Sequence, residues 1–415
     1  MAGIDTGDER FRADPYPEYA RLRGEARVHC IDDFDGVLSW LVSRYDDVRD
    51  VLTDRRLSKD PATAGEDLRQ AGIAVPADPL KRNMINTDPP EHTRLRRLVS
   101  RAFTPRRMEQ RLRPTVERTA AELLDRMEGE AEVDLIEALA LPLQVTAICD
   151  LLGVPDGERE RFHAWLEPAP QPSPAAEPGR GPGTQRVRWE AVAGYLADLV
   201  AERRRAVRTD LPEDEQPDLI SLLIAARDEG DRLTEHELIA TLSLLLLAGI
   251  ETTVNLIANG MLALFEHPDQ LRLLRERPEI GPQAVEELLR YTSPAHRSTF
   301  RFAREEIEID GVAIPAGALV SAGLASANRD GRRFPDPDRL DLLRADNQHV
   351  AFGHGLHTCL GAPMARLVGL VGLTGLVGRF PDIALAVPAA ELRWRPTGFF
   401  HGLSALPVRL RLTSP

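Results

Sequence analysis

A chain of 415 residues, 43% hydrophobic and 28% charged, has ample material for a large buried core. Its net charge of −13 argues against nonspecific nucleic-acid binding, and three far-separated cysteines (Cys30, Cys149, Cys359) without a CxxC pair argue against a disulfide framework. The polar, acidic start, MAGIDTGDERF, has no secretory pattern, and the apolar run at 242–250 is too short to span a bilayer, so a cytoplasmic protein bound to no membrane is expected.

In chain order, Cys30 lies in a strand-like run, Val28-His29-Cys30-Ile31, followed by a short strand at 38–43 and a helix at 46–52. Between 92 and 113, Arg94, Arg96, Arg97, Arg101, Arg106, Arg107, Arg111 and Arg113 stand against one acid, Glu109. This is either a solvated helix face or a docking patch for an acidic partner. Helical spacing recurs at 115–128, 134–152, 186–207, 234–260, 283–291 and 362–378. Cys149 falls within the second of these, and both it and Cys30 read as buried, inert thiols. The Pro/Gly-rich stretch 168–184 cannot be helix, because repeated proline removes donors. It reads as a connector or as a lid over a substrate pocket.

Thr234 and Glu237 form a capping box that opens the long apolar helix. Inside it, Ala248-Gly249-Ile250-Glu251-Thr252-Thr253 combines small residues, a carboxylate and a hydroxyl. A threonine bonding back to the carbonyl at i−4 would leave a polar notch, and Glu251 is either a functional carboxylate or a solvated one. Glu287 and Arg290 are one turn apart and can pair. The best strand signal is 307–314, which alternates around Asp310-Gly311. The fold class expected is mainly α with a small β subdomain.

The strongest local signal is Phe352-Gly353-His354-Gly355-Leu356-His357-Thr358-Cys359-Leu360-Gly361, with a helical pattern directly behind it. The glycines permit positive φ and close approach to something bulky and flat. A thiol at a helix start should have a lowered pKa. Zinc ligation by His354, His357 and Cys359, or a nucleophilic Cys359 beside His357, are the competing readings. The histidine and cysteine spacing does not match the usual zinc pairs.

Phe352-x-x-Gly355-x-x-x-Cys359-x-Gly361, with His357, resembles the haem-ligand signature of the cytochromes P450. The 248–253 segment is similar to that family's acid–alcohol pair, Glu287-x-x-Arg290 to its ExxR motif, and Phe334-Pro335-Asp336-Pro337-Asp338-Arg339 to its Pro-x-Arg segment. The resemblance runs in order from about residue 40 to 410, and the tail Gly402-Leu403-x-x-Leu406-Pro407-Val408 resembles actinobacterial secondary-metabolite-tailoring members.

The resemblance implies a cytochrome P450 fold, a triangular helical prism around a buried haem b, as one domain over 1–415. It implies Cys359 as the axial thiolate of the haem iron, with Phe352, Gly355 and Gly361 shaping its loop and Ala248 and Gly249 against the haem. It also implies propionate contacts from His92, Arg96, Arg301 and His357, catalytic roles for Glu251 and Thr252, and a buried Glu287–Arg290–Arg339 cluster. Substrate contacts are expected from the loop near 62–86, from Leu244, Leu247 and Ala248, from Ala295, His296 and Arg297, and from Phe399 and Phe400. His296 and Arg297 would meet a polar or anionic substrate group if they face inward.

The activity implied is a monomeric haem-thiolate monooxygenase that inserts one oxygen atom from O2 into an apolar natural product, by hydroxylation or epoxidation. A polyketide or macrolide would fit, with electrons from a ferredoxin and its NAD(P)H-dependent reductase. A peroxide-driven or coupling oxidase is the alternative within enzymes. A haem-binding sensor or electron carrier is the alternative outside them.

Overall fold

The computed structural model describes residues 8–34, 37–71, 74, 83–159, 182–206, 208, 211–212, 215–226, 233–396 and 399–410. Most of the expected Pro/Gly-rich lid, and part of the 62–86 loop, lie outside these residues. The last residues of the expected loop, 182–184, instead open the helix Pro182–Ala206. A proline in the first helical turn removes no bond the helix would make.

The apolar pattern that starts at Thr234 becomes one 32-residue helix, Glu235–Glu266. Thr234 accepts from the Glu237 backbone N–H, and the Glu237 carboxylate accepts from that of Thr234, so the capping box is complete. By length and hydropathy this helix could cross a membrane, which the short apolar run had argued against. Here it is sheathed by the helices Leu141–Leu152, Pro182–Ala206, Gly281–Thr292 and Ala362–Arg379. A helix that is apolar nearly all round has this use in a core.

Strands β1 (Val28–Phe34), β2 (Val37–Val42), β3 (Leu57–Ser58), β4 (Glu132–Asp134), β5 (Arg301–Ala303), β6 (Ile307–Ile309), β7 (Val312–Ile314), β8 (Leu319–Ala322), β9 (Ala384–Leu385) and β10 (Pro407–Arg409) are short. They form a five-stranded sheet of order β1-β2-β8-β5-β3, a three-stranded sheet β4-β10-β9 and the β6–β7 hairpin. Asp310 and Gly311 both take positive φ at the hairpin turn, which suits Asp-Gly. The larger sheet brings Arg301 on β5 within reach of the β3 end, two elements far apart in sequence.

Glu287 and Arg290, one turn apart on the helix Gly281–Thr292, are fully buried and joined by two hydrogen bonds of 2.8 Å. The third cation is Arg344, which corrects the expectation of Arg339. Arg344 Nε lies 3.2 Å from both Glu287 carboxylate oxygens. The Arg339 side chain is exposed, and only its backbone carbonyl takes part, accepting from Arg290 and Arg344. Asp336, three residues before Arg339, takes a φ of +47°. The Asp341 backbone N–H and Asn347 Nδ2 also donate to Glu287, at 3.0 and 3.1 Å.

Breaking a buried pair strands a charge and costs about 3–5 kcal/mol, whereas an exposed truncation stays within about 0.5 kcal/mol. Arg344→Leu should therefore lower unfolding free energy by about 3–5 kcal/mol in urea titrations, with Arg339→Ala near wild type. Equal losses from the two variants would return the role to Arg339.

Candidate active site

The cysteine loop is shaped by glycines at two points. Gly353 and Gly355 have φ of +74° and +75°. A Cβ at Gly355 would sit 2.7 Å from Thr53 Cγ2 and 3.4 Å from the Leu52 carbonyl, so the helix Tyr45–Thr53 leaves no room for a side chain. The Cys359 N–H donates to the Phe352 carbonyl at 2.8 Å and closes the loop. Cys359 then precedes the helix Ala362–Arg379, whose early N–H groups at Gly361 and Ala362 favour a thiolate, as does Arg96. Burial opposes them and prevails, so the free thiol's pKa is raised rather than lowered as the helix-start argument expected. The residue still keeps accessible surface.

Around this loop stands a group of cations drawn from four segments. His92 and Arg96 lie four residues apart on the helix Glu91–Ser100. His92 is 1% exposed, its ring lies 4.2 Å from that of His357, and neither of its ring nitrogens has a hydrogen-bond partner among the described residues. Arg96 Nη2 donates to the Thr358 carbonyl at 2.7 Å, inside the cysteine loop. Arg301 is buried and donates to Ser298 Oγ at 3.1 Å and to the Thr299 carbonyl at 3.2 Å.

Lys59, just past β3, completes the group, and the sequence reading missed it. It is buried, and its ammonium donates to Thr299 Oγ1 at 2.6 Å and to the Phe300 carbonyl. The one available signal was its rarity: Lys59 and Lys81 are the only lysines in an arginine-rich chain.

Burial, reinforced by neighbouring cations, pushes the His357 pKa down to about 2 and that of Lys59 well below its ordinary value. Arg301 is lowered to about 10, chiefly by burial, and His92 and Arg96 are lowered for the same reason. Asp88 is the carboxylate nearest this group, and it already accepts from Ser58, the Lys59 backbone and Arg304. Excess buried positive charge of this kind is a site for an anion.

On the central helix, Thr252 Oγ1 donates to the Ala248 carbonyl and Thr253 Oγ1 to the Gly249 carbonyl, both at 3.1 Å. Gln144 Nε2, from the helix Leu141–Leu152, reaches the same Gly249 carbonyl at 2.9 Å. Leu244, Leu247, Ala248, Gly249, Glu251 and Thr252 keep accessible surface in the middle of this sheathed helix. Leu244, Leu247, Ala248, Glu251 and Thr252 recur at three- and four-residue spacing and so form one accessible strip. Glu251 has its pKa raised by burial, partly offset by Arg395, whose Nη1 lies 3.8 Å from Glu251 Oε1.

Of the expected substrate contacts, Ala295 bridges to Phe400, and Phe399 meets Phe300 edge-on at 4.7 Å. His296 departs from the expectation. It is buried against Tyr19, whose hydroxyl lies 3.3 Å from Nδ1, and it stacks on His401 at 4.4 Å. Arg297 is also buried, beside Gly323.

The expected basic patch is divided. Arg94 pairs with Glu91 and Glu237, Arg113 with Glu109 and Glu117, and Arg107 is buried with Nη2 on the Gln216 carbonyl. Arg97, Arg106 and Arg111 are exposed. Cys149 is buried, with its thiol pushed up to about 12, whereas Cys30 is only half-buried. Among the described residues no group of three or more His, Cys, Asp or Glu could hold a metal ion, so the zinc reading finds no ligand set.

A family model described as Cytochrome P450 matches residues 180–381. The chain is 44% identical over 410 residues to cytochrome P450 107B1 of Saccharopolyspora erythraea, which covers 97% of this chain and 96% of that one. The chain belongs to the cytochrome P450 family. It is also 42% identical to 6-deoxyerythronolide B hydroxylase of the same organism, over 98% of each chain. The solved structure of the Bacillus subtilis bacillaene polyketide synthase cytochrome P450 PksS superposes with a TM-score of 0.87 at 36% identity, over 98% of this chain and 99% of that one.

The family is one of oxygen-incorporating oxidoreductases whose cofactor is haem b. The residues of this P450 fit that cofactor on their own chemistry. His92 offers two buried ring nitrogens without a partner among the described residues, Arg96 and Arg301 bring positive charge beside it, and the neutral His357 ring can add a hydrogen bond, which together suit carboxylates. Cys359 offers a soft donor that metal coordination would deprotonate.

Proposed function

We propose that this P450 acts over 1–415 as a single-domain monooxygenase on a medium-to-large apolar natural product of polyketide or macrolide type, hydroxylating or epoxidising it with electrons from a ferredoxin. The observation that carries the reading is the accessible strip in which Glu251 and Thr252 adjoin Leu244, Leu247 and Ala248. A proton-handling pair set in an apolar wall suits oxygen chemistry on an apolar substrate. The aromatic pair Phe300–Phe399 supplies further apolar surface, and the names of the hydroxylase and polyketide synthase relatives support the substrate class.

When bound, haem supplies the oxygen-activating redox chemistry, tuned by a thiolate ligand. Cys359 would be that ligand, and His92, Arg96, Arg301 and His357 would hold the two carboxylates. Thr252 uses its one hydroxyl proton on the Ala248 carbonyl, which leaves its lone pairs as acceptors toward the inner space. Glu251, with its pKa raised, can hold a proton at its carboxyl oxygen nearer to neutral pH and release it toward Thr252.

For the electron donor, exposed Arg97, Arg106 and Arg111 offer positive charge, and Leu356 in the cysteine loop is 54% exposed. Exposed positive charge together with an exposed apolar side chain suits an acidic redox protein.

The reduced, CO-bound protein should show the strongly red-shifted Soret band of thiolate ligation, lost in Cys359→Ser. A histidine-type band in the wild type would sink the assignment of Cys359. Thr252→Ala should keep haem and the substrate-induced spin shift but lower product per NADPH by at least about tenfold, with hydrogen peroxide rising in step. Unchanged coupling would remove Thr252 from proton handling and favour a peroxide-driven route. Arg97→Glu combined with Arg106→Glu should slow reduction by ferredoxin at low salt, with the difference closing as salt is raised. Identical stopped-flow rates at low salt would rule out docking through these arginines.

A further inference from the structure

Glu251, Asn255 and Asn259 recur at four-residue spacing and so share one face of the central helix. The returning chain, described at 393–396 and 399–404, meets that face at His401 and Gly402. It is closed on itself by the Trp394–Leu403 bridge and by the Arg395 N–H donating to the Gly402 carbonyl at 2.8 Å. Asn259 Nδ2 donates to the His401 carbonyl at 2.7 Å and ties the two elements together. At Gly402 the approach is closest: a Cβ there would fall 2.2 Å from Asn255 Oδ1. A side chain at Gly402 would have to displace the Asn255 amide, and the Arg395–Gly402 hydrogen bond sets Arg395 next to this contact.

The polar groups along this contact are not satisfied by one another. Asn255 has no accessible surface, yet neither its Nδ2 nor its Oδ1 has a partner among the described residues, and Arg395 Nε is likewise buried without one. Arg395 Nη1 stands 3.8 Å from Glu251 Oε1, within ion-pair range but beyond a hydrogen bond. Buried polar groups left without partners are uncommon and call for an explanation. A half-satisfied cluster beside a proton-carrying carboxylate has one in function.

We propose that Arg395 is the positioning residue for Glu251, aiming its carboxyl group and favouring its return to the ionised form after each proton is released, with the Asn255 amide as the neighbouring hydrogen-bond partner. The proposal rests on the proton-handling role of Glu251 given above. Glu251 takes one proton from solvent water on its accessible side and gives one toward Thr252, so no proton is gained or lost by the protein over a cycle. The segment that carries Phe399 and Phe400 thus also carries the counter-ion of the proton donor.

The sign of the test follows from charge. Among the described residues, Arg395 is the one charged group whose field reaches Glu251, and it favours the ionised form. Removing that charge raises the carboxyl pKa further. The acid-side fall of coupled turnover should move to higher pH by about one unit in Arg395→Gln, and stay near wild type in Arg395→Lys. Infrared titration of the protonated carboxyl band that disappears in Glu251→Gln should show the same displacement in Arg395→Gln. Arg395→Met replaces it if the glutamine variant does not accumulate. Coincident infrared midpoints in wild type and the charge-removed variant would overturn the proposal, as would an equal displacement in Arg395→Lys and Arg395→Gln. The CO-bound Soret band of the same preparations keeps the readings apart: loss of the thiolate band in wild type defeats the functional assignment, while the infrared midpoints still decide the Glu251–Arg395 pairing.

Discussion

The buried carboxylate of Glu287 organises the proximal half of this molecule. An ionised group with no accessible surface must be neutralised and hydrogen-bonded, or the fold bears the full desolvation cost. Arg290 answers from the same helix, and Arg344, Asn347 and the Asp341 backbone answer from a stretch more than fifty residues later. To reach it, the chain from 335 to 347 must wrap tightly around one point. That wrapping delivers the loop that follows, which ends in Cys359, to a fixed place against the helix Tyr45–Thr53.

Two further electrostatic arrangements depend on that placement. With the cysteine loop seated, His357 and the Thr358 carbonyl come up against His92 and Arg96, and the larger sheet adds Arg301 and Lys59. The result is positive charge in a low-dielectric setting with too few carboxylates of its own, suited to a dianionic cofactor. Across the fold, the central helix is apolar enough to be sheathed on most sides, and the accessible strip in its middle carries a carboxylate and a hydroxyl. Cation excess on one side and a carboxylate–hydroxyl pair on another divide the labour in the function proposed: one would hold the cofactor, the other would manage protons.

Much of this was legible from residue order because the informative contacts are local. Gly353 and Gly355 with Cys359, the Thr252-to-Ala248 spacing, the Glu287–Arg290 turn, the Thr234–Glu237 cap and the Asp310-Gly311 hairpin each lie within one short segment, where backbone geometry leaves few arrangements. The errors fall where the side chain's direction is set by distant packing. Arg339 and Arg344 share a segment and a residue type, and only the folded chain shows that Arg344 faces Glu287 while Arg339 is exposed. His296 lies two residues after Pro294 in a loop expected to line the substrate space, but it packs edge-on against Tyr19 of the N-terminal helix Tyr16–Glu25 and stacks on His401. The lowered thiol pKa expected of a helix start was overruled by burial.

The sequence by itself determined the helical class, the cysteine loop, the acid–alcohol notch and the pairing partner of Glu287 on its own helix, because each is a matter of spacing along one element. Only the tertiary structure decided that Lys59 joins the cation group, that Arg344 closes the Glu287 cluster and that Arg395 stands over Glu251. Those three depend on which charges are taken out of water together. Desolvation is a property of the assembled interior, and spacing along the chain carries no record of it.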